Sequence, residues 1–240
     1  MRKIVLSLMA LVAIAPALWA QDILDSIVGA YSAITSTAPA TEEAKDTTHH
    51  RILLFGDSML DGVGRRFNDY ASANGHTLYT SIWYGSTTKN WAYTTELPRL
   101  MEKVDPTFVI VCLGTNDLGY HDISARAEAV QEIMRVIGDR PFIWIGPVSL
   151  RTISRDPGIA SMIRQNVGAA RFYDSYNLRI SRAADGIHPT FAAAAHWVDG
   201  IAQWMSGPET AHPIVMNTPA KSVPFKNFET HKTSYKGTKK

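Results

Sequence analysis

The sequence predicts an α/β domain built on a mostly parallel sheet with helices on both faces. Three observations lead there: five short apolar, β-rich runs, longer helix-like stretches between them, and chemically unusual residues gathered just after the runs. In such a sheet, ligands bind in the loops beyond the carboxyl ends of the strands.

The strands are expected at 52–56, 77–83, 107–113, 141–146 and 170–173. Helical patterns lie near 60–73, 90–104, 124–137, 157–167 and 191–205. Helices of this length between successive strands require crossover connections, which run right-handed.

Two flanks stand apart from this core. Residues 1–20 read as a secretory signal, with Arg2 and Lys3 followed by an apolar segment too short to span a bilayer comfortably. Cleavage is expected after Ala17 or Ala20, which points to a periplasmic or secreted protein with no stable membrane span after processing. Residues 21–49 form a polar leader rich in Ser, Thr and Ala, and the α/β core occupies 50–206. From Gly207 to Lys240 the chain carries four prolines and six lysines against two glutamates, and reads as an extended peripheral arm. Its positive charge permits weak attachment to an anionic envelope polymer.

Composition excludes several classes. The 240 residues are 45% hydrophobic and 19% charged, which suits one globular domain with a sizeable core. A single cysteine, Cys112, rules out a disulfide scaffold, and its place in the apolar run 108–113 marks it as a core residue. Removing residues 1–20 removes two of the 24 basic residues and leaves them equal to the 22 acidic ones. Nucleic-acid binding is therefore not expected.

Four loops carry candidate chemistry. In the first, Gly56-Asp57-Ser58 ends a buried run and leads into a helix, so Ser58 is either a nucleophile near unpaired helix N–H groups or, like Asp57, a helix N-cap. In the second, Asp185-Gly186-Ile187-His188-Pro189 puts a carboxylate three residues before an imidazole, as base and orienting partner or as a plain turn before a helix. His49, His50, His76, His121, His196, His212 and His231 have no comparable partner. In the third, Gly114-Thr115-Asn116-Asp117, the Asn116 amide is an uncharged oxyanion donor or part of an Asx-turn. In the fourth, Trp83-Tyr84-Gly85-Ser86 offers the Gly85 N–H as a further donor.

All four fall on one predicted edge of the sheet, and together they specify acyl transfer. Ser58 attacks a carbonyl, His188 takes its proton, Asp185 orients His188, and the Ser58 N–H, Gly85 N–H and Asn116 amide receive the oxyanion. No cofactor is expected. A metal site is not expected either, because acidic and imidazole residues lack a compact ligand spacing.

These blocks resemble those of the SGNH, or GDSL-type, hydrolase superfamily. The Ser block is Gly56-Asp57-Ser58 with Met59 in place of the family's Leu, the Gly block is Gly85, the Asn block Gly114-Thr115-Asn116-Asp117, and the His block Asp185 to Pro189. The resemblance covers about residues 50–206. It implies a flavodoxin-like three-layer α/β/α sandwich, a Ser58–His188–Asp185 triad, and Gly85 and Asn116 as oxyanion donors. No G-x-S-x-G elbow surrounds Ser58, which separates the chain from the α/β-hydrolases.

The expected function is hydrolysis of acyl esters, O-acetyl groups on a cell-wall or other glycan being the preferred substrate. Alternatives are acetyl transfer to a glycan, action on lipid or thioester substrates, and a non-catalytic wall-binding module. Trp83, Tyr84, Trp91 and Tyr93 flank the Gly85 loop and either form a sugar-stacking platform or pack the core and its lip. Trp83, Tyr84 and Asp117 are the candidate substrate-lining residues.

Overall fold

The computed structural model describes residues 46–153 and 158–240. The expected signal segment, 1–20, and nearly all of the expected leader lie outside the described residues. Twelve main elements follow in chain order: β1 (Arg51–Gly56), α1 (Leu60–Ala73), β2 (Thr77–Trp83), α2 (Thr88–Ala92), α3 (Glu96–Val104), β3 (Phe108–Cys112), α4 (Ile123–Ile137), β4 (Phe142–Ile145), α5 (Ile159–Val167), β5 (Phe172–Tyr173), α6 (Phe191–Met205) and β6 (Phe228–His231).

The strands form one sheet in the order β5-β4-β3-β1-β2-β6, and each neighbouring pair is parallel. Alternation along the strands divides the interior in two, because successive side chains leave opposite faces. Ile52, Leu54, Ile110 and Ile143 pack under α1 and α6, while Leu53, Phe55, Val109, Val111 and Trp144 pack under α2, α3, α4 and α5. The helices answer with apolar faces at matching intervals. Leu60, Val63, Phe67 and Tyr70 are buried on α1, and Ala194, Trp197, Val198, Ile201 and Met205 on α6. The result is three layers, α/β/α, around a six-stranded sheet. Strand order reverses between β1 and β3, so the loops after these two strands border the crevice where open sheets hold ligands.

Two expectations change. The helix expected over 90–104 is two helices, α2 and α3, separated at Tyr93, Thr94 and Thr95. Pro98 explains the break: it lacks an N–H and would disrupt the middle of one long helix, whereas a restart at Glu96 puts it in the first turn of α3. The gap is filled from far along the chain, where Thr95 N–H donates to Thr238 O at 2.7 Å.

The stretch after Gly207 is more than a peripheral arm. Ile214 and Met216 are buried beside α6, and β6 pairs with β2 from Thr80–Phe228 to Trp83–His231. Asp46, near the end of the leader, donates its N–H to Pro213 O at 2.9 Å. Four residues with half-exposed side chains give no apolar period, so β6 left no mark in the sequence pattern. Among the described residues, no helix is long and apolar enough to cross a membrane.

Candidate active site

Gly56 sets the turn that presents Ser58. A Cβ at this position would lie 2.0 Å from Cys112 O, so only glycine lets β1 run this close to the end of β3. Asp57 then folds the chain locally: its Oδ1 accepts the Met59 N–H at 3.0 Å, an Asx-turn that leads into α1. Neither Asp57 nor Ser58 is the N-cap. Met59 holds that place, with no side-chain capping bond. The Ser58 hydroxyl, freed from capping, lies 2.8 Å from His188 Nε2.

His188 sits on an irregular hairpin between β5 and α6. Ala183 N–H donates to His188 O at 2.8 Å and Thr190 N–H to Ser181 O at 3.0 Å, closing the hairpin with Asp185 and Gly186 at its tip. Asp185 Oδ1 accepts the N–H groups of Ile187 (2.8 Å) and His188 (3.0 Å), and its Oδ2 lies 2.7 Å from His188 Nδ1. The His188 side chain and these two N–H groups hold the Asp185 carboxyl down at about 2. A carboxylate on Nδ1 selects the tautomer with its proton there and leaves Nε2 to accept from Ser58 Oγ. Arg182 braces the hairpin, donating to Ile187 O (2.5 Å) and to Ser149 O (2.6 Å) in the loop after β4. Thr190 N-caps α6, accepting the Ala193 N–H at 3.2 Å.

Asn116 and Gly85 come together through a direct bond. Asn116 lies on the 3-10 turn Thr115–Asp117 after β3, and its Nδ2 donates to Ser86 O at 3.0 Å. That uses one of the two amide hydrogens. Gly85 has φ +72°, in the left-handed region, and its loop is pinned by Trp91 Nε1, which donates to Ser86 Oγ at 2.9 Å. Among the described residues, neither the Ser58 N–H nor the Gly85 N–H donates to another protein group.

The structure removes two of the three expected substrate-lining residues from that role. Asp117 is fully buried, accepting the N–H (3.0 Å) and hydroxyl (2.8 Å) of Thr88 and pairing with the Arg126 guanidinium. It is an anchor that ties the Asn116 turn to α2 and α4. Trp83 is 1% exposed and Trp91 0%, their rings 5.6 Å apart in an edge contact, so neither presents a face to a sugar. Tyr84 remains half-buried, its hydroxyl donating to Asp61 Oδ2 at 2.6 Å.

Some of the supports were not foreseen. Asp57 is buried, its Oδ2 makes no hydrogen bond, and burial together with the Asp117 charge pushes its carboxyl up to about 7. His231, which has no comparable partner near it in sequence, lies 2.8 Å from Glu96 Oε1. Glu96, Glu229 and His231 bring possible ligand atoms within 4.8 Å of one another, although their separation in sequence showed no compact spacing. Arg99 bridges both carboxylates and Lys103 lies 3.0 Å from Glu229, so the charge is already balanced by protein cations. Beyond β6, Thr233 Cγ2 comes within 3.0 Å of where a Gly85 Cβ would stand, and Tyr84 N–H donates to His231 O at 3.0 Å.

No family model matches the chain, and no curated protein matches it. Solved structures similar to it include two esterases. An acetyl xylan esterase, AlAXEase, has 14% identity and a TM-score of 0.46, over 62% of this chain and 96% of that one. A two-domain esterase (CEX) active on acetylated mannans, co-crystallised with mannopentaose, has 15% identity and a TM-score of 0.49 over 71% of this chain. This chain spans about half of that protein's length, 52%.

Proposed function

We propose that this protein is a serine esterase of the SGNH type that hydrolyses acyl esters, O-acetyl groups on a glycan being the preferred substrate. The observation that carries the reading is the continuous relay from Asp185 Oδ2 to His188 Nδ1 and from His188 Nε2 to Ser58 Oγ, at 2.7 and 2.8 Å. A serine hydroxyl is a weak nucleophile until a base takes its proton, and the relay supplies that base in the required tautomer.

In the first half-reaction Ser58 Oγ bonds to the ester carbon while its proton passes to His188 Nε2. The oxyanion is received by the Ser58 and Gly85 N–H groups and the second Asn116 amide hydrogen. The bond to the alkoxide then breaks, and His188 returns its proton to the departing oxygen. In the second half-reaction water replaces the alcohol: His188 deprotonates it, the acid is released and Ser58 recovers its proton. Asp185 keeps its charge throughout and stabilises the imidazolium. The secretory start supports a periplasmic or extracellular setting, where acylated glycans are available.

Ser58→Ala is expected to lower kcat/KM for p-nitrophenyl acetate by at least ~10³-fold while preserving the fold. Acetate release measured by mass spectrometry from acetylated glycans, acyl lipids and thioesters, run beside this variant, orders the substrates. Equal rates for the wild type and Ser58→Ala would refute the mechanism.

A further inference from the structure

A second feature lies beside the His188 hairpin. A cavity of about 840 Å³ opens between the loop after β4 and the segment leading into the hairpin. Arg151, Arg179 and Arg182 all line it, together with Ser149, Tyr176 and Asn177, and among the described residues no acidic side chain does. Arg182 donates to two carbonyl oxygens and, among the described residues, forms no ion pair. Among the described residues, Arg151 and Arg179 pair with no carboxylate.

The arginines also act on one another. Burial and the neighbouring Arg151 charge both push the Arg182 guanidinium below its usual value, against the pull of Asp185. Asp185 is engaged by His188 and two backbone N–H groups, and its single charge offsets the three arginines only in part. Three like charges converging on one concave surface create a field that an anion relieves. The guanidinium fork matches the two oxygens of a carboxylate.

We propose that this cavity is a subsite for a carboxylate-bearing sugar, and that the acylated substrate is an acidic glycan rather than a neutral one. The inference rests on the esterase reading for the role of Ser58, but the subsite is defined by its own residues. Ser181 and Arg182 form both its wall and the first strand of the hairpin carrying His188.

Full-length protein carrying Ser58→Ala is titrated by calorimetry with a trigalacturonate and with the neutral xylotriose, with and without Arg151→Gln/Arg179→Gln. The uronate is expected to bind more tightly than the neutral sugar and to lose about 10-fold in affinity in the double substitution. Arg151→Lys/Arg179→Lys is expected to recover part of the loss, which a merely misfolded loop would not allow. Raising salt to 0.5 M should weaken the uronate alone, since exposed charges are screened. In parallel, acetate release from acetylated polyuronate and from acetylated xylan is followed with Ser58 intact. Arginine-dependent uronate binding without any turnover supports the subsite and removes the esterase reading. Turnover with equal, arginine-independent binding of both sugars overturns the subsite and leaves the esterase reading standing.

Discussion

Ser58 owes its orientation to its neighbour. Asp57 accepts the Met59 N–H in an Asx-turn, Met59 and not Ser58 takes the N-cap place, and the Ser58 hydroxyl faces His188. That arrangement buries a carboxyl whose Oδ2 is unpartnered and which burial and Asp117 push up from 3.8 to about 7. Because the folded value lies above the unfolded one, Asp57 favours the folded state at low pH. The contribution is complete below the unfolded value and is lost as pH rises through about 7. Asp57→Asn keeps an acceptor for Met59 N–H and cannot ionise. Urea unfolding between pH 4 and 8 is expected to show the wild type losing roughly 2–4 kcal/mol more than the variant over that range. Parallel stability curves would remove Asp57 from this role. The Ser58 alternatives, cap or nucleophile, were both legible in Gly56-Asp57-Ser58. The choice needed His188, which lies 130 residues away in sequence.

Among the elements, β6 connects the end of the chain to the candidate site. Its Glu229 accepts from the Tyr79 hydroxyl at 2.7 Å and pairs with Lys103 and Arg99 on α3. Burial pulls the Glu229 carboxyl up, but these partners outweigh it and hold it at about 2. Glu229 therefore stabilises the attachment of β6 fully above its ordinary value of 4.5, and the contribution is lost as pH falls through about 2. Glu229→Gln is expected to expose the residues after Pro213 to limited proteolysis at neutral pH. It should also lower ester turnover by roughly 3–10-fold, since Thr233 and His231 bear on the Gly85 loop and small displacements of oxyanion donors reduce rate. Proteolysis and turnover that match the wild type would show that the edge strand does not support the loop. The sequence missed β6 because its hold is ionic and long-range, with no apolar alternation to reveal it. The same blindness hid the restart of α3, where Thr238 fills the gap that Pro98 requires.

Across the whole molecule, the sheet holds the four loops in register. Ile110, on β3 between β1 and β4, is fully buried under α1 and α6. Ile110→Ala is expected to cost about 2–5 kcal/mol in chemical denaturation, through lost burial and the cavity left behind. A loss below 1 kcal/mol would mean that the layer repacks freely. The strand positions were readable because buried parallel strands are continuous apolar runs, and α1 and α6 because their apolar residues recur every three or four positions. The sequence by itself determined the α/β class and the central strands and proposed the short list Ser58, Gly85, Asn116, Asp185 and His188, since local periodicity and turn chemistry are written in neighbouring residues. Only the tertiary structure decided what those residues face. It brought His188 to Ser58 and buried Trp83 and Asp117, and it drew the arginines of two separate loops around one cavity. Each of these depends on contacts between distant segments, which packing creates and no local pattern encodes.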